Sequence, residues 1–241
     1  MSQHVHFISD LHLCQERPQT TQMFVSYLNA LETNVSDLYI LGDLFDSWVG
    51  DDDPTPPNQL IKDHLKALTD RGVHVHFLAG NRDFLVGKQF FSDTKVNCLD
   101  DEHIIDLFGV KTLLMHGDLL CTDDTEYQQF RQLTHNPAWQ QAALAKPLEE
   151  RLALAQHYRQ QSQLNKQEKS NEIMDVNEAA VLSTLEKHHS LRLIHGHTHR
   201  PKLHNMTVNG ENTERFVLAE WDEHGSVLDF CADAHHVIEL T

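Results

Sequence analysis

Basic residues are scarce in this chain: nineteen Lys and Arg stand against thirty-six Asp and Glu in 241 residues, a net charge of −17. A general nucleic-acid binder needs clustered cations against phosphates, so this balance argues against one. Cysteine is sparse too. Cys14, Cys98, Cys121 and Cys231 are far apart with no C-x-x-C pair, which excludes a zinc ribbon or a disulfide frame and fits reduced thiols in the cytoplasm. No run approaches the ~20 apolar residues of a membrane span. The first residues have neither the basic start nor the apolar core of a signal peptide. Repeats and low-complexity tracts are missing as well. A cytoplasmic protein of one domain with an insertion is expected, able to touch a membrane surface but not to cross it.

What is present is a set of short apolar runs, each closed by polar residues. Val5–Ser9 reads as a strand ending in Asp10 and His12, and Leu38–Leu41 as one ending in Gly42-Asp43. Val73–Ala79 ends in Gly80-Asn81-Arg82-Asp83, Thr112–Met115 in His116-Gly117-Asp118, and 191–194 in His195, His197 and His199. Helical periodicity fills 20–32 and 58–70 between them. Strands alternating with helices predict a parallel sheet, and the short runs at 203–208, 215–221, 226–231 and 236–240 predict antiparallel additions. The fold class expected is α/β, a layered sandwich.

Residues 123–187 break the pattern with almost pure helix signal. Pro147 suits a helix start there, and Asp175-x-x-Glu178 resembles a capping box. Residues 146–170 hold five basic side chains (Lys146, Arg151, Arg159, Lys166, Lys169) against three acidic ones. This reversal fits an anionic partner, or more plainly a solvated face with i,i+4 pairs.

In open α/β sheets ligands gather outside the carboxyl ends of strands. Asp10, His12, Asp43, Asn81, His116, His197 and His199 all fall there. Singly, each is better read as a turn residue, a cap or a satisfied core histidine. Repetition at five strand ends reverses that reading. Seven oxygen and nitrogen donors exceed one transition ion, and with Asp43 as a bridging carboxylate they make two four-ligand sites. Imidazole, carboxylate and amide without thiolate suit manganese, iron or zinc better than magnesium. Two ions ~3.5–4 Å apart clamp a phosphoryl group and activate water. Asp46, Asp83 and Asp118 are expected to orient the imidazoles. His195 reads as structural or as a neighbour of the ligands, and His4, His6, His74 and His76 as structural. Asp51–Asp53 read as a solvated loop. Arg82 can fork onto phosphate oxygens but cannot donate a proton at neutral pH. It therefore favours a phosphoanhydride, whose leaving group departs as phosphate without a general acid.

These residues resemble the calcineurin-like metallophosphoesterases. Within them, Ser9–Leu13, Leu41–Phe45, Gly50–Pro54, Gly80–Leu85, Met115–Asp118, Cys121–Asp124, Ile173–Asn177 and Ile194–Pro201 are similar to the UDP-2,3-diacylglucosamine diphosphatases of lipid A biosynthesis. The tail beyond 201 matches only loosely. The resemblance implies a layered αββα core from 1–122 and 188–241, with 123–187 as a helical lid over acyl chains. It implies hydrolysis to UMP and 2,3-diacylglucosamine 1-phosphate by water attack on the uridine-side phosphorus. One ion would be held by Asp10, His12, Asp43 and His199, and the other by Asp43, Asn81, His116 and His197, usually manganese. Asn81, Arg82, Asp124, Ser162, Lys166, Lys169 and His197 would contact substrate, Lys166 standing where some relatives have asparagine. A peripheral monomer at the cytoplasmic face of the inner membrane is implied, with no nucleic-acid partner. A phosphoesterase for soluble nucleotides has no use for an apolar insertion, and a scaffold that lost catalysis should have lost ligands.

Overall fold

The computed structural model describes residues 3–168 and 175–241. Strand β1 (His4–Ile8) is the centre of a six-stranded sheet. On one side β1 pairs in parallel with β2 (Val35–Leu41), then come β3 (His74–Leu78) and the two-residue β4 (Asn97–Cys98), all parallel. On its other side β1 pairs antiparallel with β10 (Gly225–Cys231), which pairs with β11 (Ala234–Leu240). Helices α1 (Pro18–Ala30), α2 (Asn58–Asp70) and α3 (Lys88–Thr94) supply the crossovers.

A second sheet has the order β5 (His103–Leu107), β6 (Val110–Leu114), β7 (Arg192–His195), β9 (Glu211–Val217), β8 (Lys202–Val208). The single parallel sheet expected from the sequence is thus two sheets, with β6 and β7 in the second. The tail divides between them, and β9 runs parallel to β7 rather than antiparallel. Strand β5 and helix α3 carried no readable pattern, being short and only partly buried.

The layers follow from which face of each strand is apolar. Val5, Phe7, Tyr39, Leu41 and Phe230 meet Leu114, Ile194 and Phe216 between the sheets. Ile8, Leu38, Ile40 and Phe77 turn the other way, onto Phe24, Leu28, Ile61, Leu65 and Phe90 of α1–α3. Outside the second sheet, Val181 and Leu185 of α7 (Glu178–His188) pack on Leu113, Met115, Leu120 and Leu193. The architecture is αββα. Helix α7 belongs to this sandwich by its packing, so the helical insertion over the strand ends is shorter than 123–187. It comprises α4 (Thr125–Thr134), α5 (Pro137–Leu144) and α6 (Leu148–Glu168). The N-cap of α7 is Asn177, whose side chain accepts from the Ala180 amide, not Asp175. Among the described residues no helix is long and apolar enough to cross a membrane.

Candidate metal centre and active site

The carboxyl ends of β1, β2, β3, β6 and β7 open on one rim, and the parallel pairing of β1 with β2 runs on past the strands. Asp10, His12 and Leu13 donate to the carbonyls of Gly42, Asp43 and Leu44. To turn their side chains onto one point, Asp10, His12, Asp43, His197 and His199 all take positive φ, between 48° and 67°. Non-glycine residues avoid that region, and a run of them at one rim marks backbone strain held for function. Glycine is required where chains meet. A Cβ on Gly80 would lie 2.1 Å from Asp43 Oδ1, and one on Gly196 2.2 Å from Asp10 Oδ2.

The seven side chains form two groups. In one, His199 Nε2 lies 3.3 Å from Asp10 Oδ1, and the rings of His12 and His199 are 5.5 Å apart. In the other, Asn81 Oδ1 lies 3.0 Å from His116 Nε2 and 2.9 Å from His197 Nδ1. Asp43 stands between them. Its Oδ2 is 3.8 Å from His12 Nδ1 and its Oδ1 3.7 Å from His116 Nε2.

Burial and charge decide protonation here. Burial pushes the Asp43 carboxyl up to about 7 despite His116, with Asp83 and Asp10 adding to it. Burial also drives His12 and His197 down to about 3. His116 is held up at about 9 against its burial by Asp43, Asp10 and Asp118, and His199 at about 9 against its own by Asp10 and Glu220. Asp10 stays below the ordinary carboxylate range because His199, His116 and His12 outweigh its burial. Each group therefore concentrates positive charge beside buried carboxylate.

A pair of divalent cations fits this arrangement. Asp10 Oδ1 and His12 Nδ1 are buried without a hydrogen-bond partner among the described residues, which is costly unless something else binds them. Asp10, His12 and His199, and likewise Asp10, Asp43 and His116, bring one donor atom each within 4.8 Å of one another. His116 Nδ1 donates to the Leu41 carbonyl at 2.9 Å, which leaves Nε2 as the donor to an ion.

The supporting residues differ from those expected. Among the described residues Asp83 makes no hydrogen bond or ion pair to an imidazole. It is fully buried and accepts from the amides of Asp43, Leu44, Phe45 and Gly80, fixing the turns that carry Asp43 and Asn81. Asp118 accepts from Tyr127 Oη and from Arg131 Nε at 2.7 Å, tying α4 to the rim, and Asp46 pairs with Arg159 of α6. The expected solvated loop is a junction instead. Asp51 accepts from the amides of Gly87, Gln89 and Phe90 at the start of α3, Asp52 holds Arg151 of α6, and Asp53 accepts from Thr55 and Asn58 before α2. Of the basic stretch only Lys146 makes the expected i,i+4 pair, with Glu150, whereas Arg151 is buried on Asp52 and Arg159 reaches Asp46, both far away in sequence. His195 sits between the Gly196 carbonyl and Arg215, while His4 and His6 surround Asp229 and His76 holds Asp37.

Above the rim lies a cavity of about 770 Å³. His12, Asp43, Asn81, His197 and His199 form its polar end, with Arg82, Asp124 and Ser162 in the wall. Val49, Phe84, Phe130, Trp139, Leu154, Ala155 and Tyr158 form an apolar end beneath the insertion. The Arg82 amide donates to Asp43 Oδ1 at 2.9 Å, and its guanidinium makes no hydrogen bond or ion pair among the described residues. Asp124 caps α4, accepting from the Tyr127 amide at 3.1 Å. Lys169 lies outside the described residues, as does the Lys166 side chain. Glu220, which contacts His199 Nδ1 from beyond β9, had no signal in the sequence to separate it from the other acids of the tail.

The family model for calcineurin-like phosphoesterases matches residues 4–201, which include all seven donors. The chain belongs to that family. A curated protein of Aromatoleum aromaticum called UDP-2,3-diacylglucosamine hydrolase is 49% identical over 217 residues, 90% of this chain and 89% of its own. One of the same name from Serratia proteamaculans is 46% identical over 234 residues, covering 97% and 98%. A solved structure described as a novel archaeal phosphodiesterase superposes with a TM-score of 0.50 at 12% identity, covering 98% and 99%, a likeness of fold.

Proposed function

We propose that the protein hydrolyses the diphosphate of UDP-2,3-diacylglucosamine to UMP and 2,3-diacylglucosamine 1-phosphate. The observation that carries this reading is one cavity with two ends, a rim lined by five of the seven candidate donors and an apolar chamber roofed by the insertion. Phosphate and acyl chain need those two environments side by side. The names of the relatives supply the substrate.

Asp10, His12, Asp43 and His199 would hold one divalent ion, and Asp43, Asn81, His116 and His197 the other, with manganese the metal expected. Bound there, the ions supply Lewis acidity and lower the pKa of water towards neutrality. The water oxygen joins the uridine-side phosphorus, the bond from that phosphorus to the bridging oxygen breaks, and the bridging oxygen leaves with the lipid phosphate. The free guanidinium of Arg82 suits the diphosphate oxygens, with Asn81 and His197 beside them. No side chain has to protonate the leaving phosphate. Phe84, Phe130, Trp139, Leu154 and Tyr158 take the acyl chains and exclude water from them. Asp124, Ser162, Lys166 and Lys169 bind the polar parts of the substrate.

The enzyme works as a peripheral monomer on the cytoplasmic face of the inner membrane, without a nucleic-acid partner. Exposed Leu133, Leu144, Leu152 and Leu164 on the insertion favour contact with lipid, where the substrate's chains reside. Incubating the Mn2+-loaded protein with UDP-2,3-diacylglucosamine in 18O-water tests the reaction. Label in UMP, absent with His116→Ala, is expected. Label in the lipid phosphate would overturn the site of attack, and no turnover would overturn the substrate.

A further inference from the structure

The tail after Pro201 lies outside the family match, yet it reaches the rim at one place. Between β9 and β10 the chain is fixed from several sides. The Leu218 amide donates to the His195 carbonyl at 2.7 Å, and the Trp221 amide to the Asp10 carbonyl at 3.0 Å. The Trp221 ring is fully buried, edge-on to Phe24, with Nε1 donating to the Ser226 carbonyl at 3.0 Å. Arg17 donates to the Trp221 carbonyl and to Asp222. Glu220 is anchored between these contacts, and its carboxylate Oε2 meets His199 Nδ1.

That contact has a direction. A carboxylate accepts from an imidazole N–H, so Nδ1 of His199 carries the proton and Nε2, facing Asp10 Oδ1 at 3.3 Å, carries the lone pair when the ring is neutral. The other half of the site solves the same problem with a backbone carbonyl, Leu41 on His116 Nδ1. Outer partners of this kind set the tautomer, the ring angle and the basicity of a metal-binding histidine. We propose that Glu220 is a positioning residue for the Asp10, His12 and His199 half of the centre, holding His199 so that Nε2 is offered to that ion and leaving the other half untouched. The inference rests on the metal reading above. The alternative is an ordinary half-exposed ion pair, worth little to any neighbour.

Mn2+ binding to ion-stripped protein, followed by electron paramagnetic resonance, separates the two without using turnover. The parent is expected to take two ions. Glu220→Ala should weaken one site by about 10–100-fold and leave the second within about twofold. Glu220→Gln, whose side-chain carbonyl still accepts the Nδ1 proton, should restore most of that loss. If Glu220→Ala does not fold, Glu220→Asp, a methylene too short to reach the ring, carries the same one-site expectation. Two unchanged sites in the Ala variant would overturn this inference alone. Equal weakening of both sites with a lower Tm would reduce Glu220 to a structural ion pair and overturn it as well. A parent that binds no ion would remove the metal reading, and this inference with it.

Discussion

On the strand-end rim, polar side chains are fixed by backbone: Asp83 accepts four amides, Asp43 accepts the Arg82 amide, and His116 is held by the Leu41 carbonyl. The helical insertion is held by long side chains instead. Arg131 reaches Asp118 and Asp101, Arg151 reaches Asp52 and the Val49 carbonyl, and Arg159 reaches Asp46. Backbone contacts have no rotamers to lose, whereas Arg side chains swing on several bonds. The candidate donors are thus placed where geometry is stiff, and the apolar chamber where its roof is held by adjustable side chains.

The strongest test of the stiff half is to remove its shared donor. Asp43→Ala should abolish uptake of two ions and lower kcat by about 10³-fold or more, since Lewis-acid stabilisation is worth several kcal/mol at tenfold per 1.36 kcal/mol. Metal analysis and steady-state rates read both, and a variant keeping two ions and full rate would dissolve the bridging role. Next comes Asp83→Ala, which strands four amides and should cost about 3–5 kcal/mol, a fall in Tm of roughly 10 °C. A Tm within a degree or two of the parent's would show the turns to be stable without it.

The adaptable half calls for gentler tests. Ala155→Trp partly fills the apolar chamber and should cut kcat/KM about 10–100-fold for long-chain substrate while sparing a short-chain analogue, at ~0.8 kcal/mol per displaced CH2. Equal losses for both would place the chains elsewhere. Arg151→Ala should speed amide exchange in α6 about tenfold, its hydrogen bonds being worth ~1–3 kcal/mol, with β1 unaffected. Exchange slowed or raised equally in both would erase the distinction between the halves.

The smallest effect lies in the middle of β1, at His6. Burial lowers His6 to about 4, against Asp229 and with His4 and His236 adding to it. Tyr27 is its hydrogen-bond partner. The folded value lies below the unfolded one of ~6.5, so the unfolded chain binds the extra proton between them. The stability linked to neutral His6 is complete above pH ~6.5 and is lost as pH falls towards 4. Thermal melts of ion-free His6→Gln from pH 7 to 4.5 should fall less steeply than the parent's, by the share of one proton. Parallel curves would assign the slope to other groups.

Much of the rim was legible because every donor sits within five residues of the end of an apolar run, and strand ends are where ligands collect. The chamber was legible only as an insertion of helices. The parts that escaped depend on contacts made far along the chain. Asp51 caps a helix 36 residues later, Asp52 holds an arginine 99 residues later, and nothing in a run of three aspartates announces partners so distant. Helix α3, already short and only partly buried, also has its start held from outside its own segment by Asp51. The place of α7 was not legible because its apolar face fits either partner, and only its packing on Leu113 and Leu193 shows where it lies.

The place of β1 has a consequence for synthesis. This strand precedes every other strand of its sheet in the sequence, and its register with β10 joins Val5 to Phe230 and Phe7 to Leu228. A ribosome that has translated as far as residue 201 has delivered all seven donors, but β1 still has one naked edge. Asp10 at that stage lacks the Trp221 amide on its carbonyl, and His199 lacks Glu220. Chains fold from the N-terminus as they emerge, and pairings between distant residues form late. Until β10 is in place β1 keeps an unpaired edge, and a bare strand edge is a ready template for pairing with another chain.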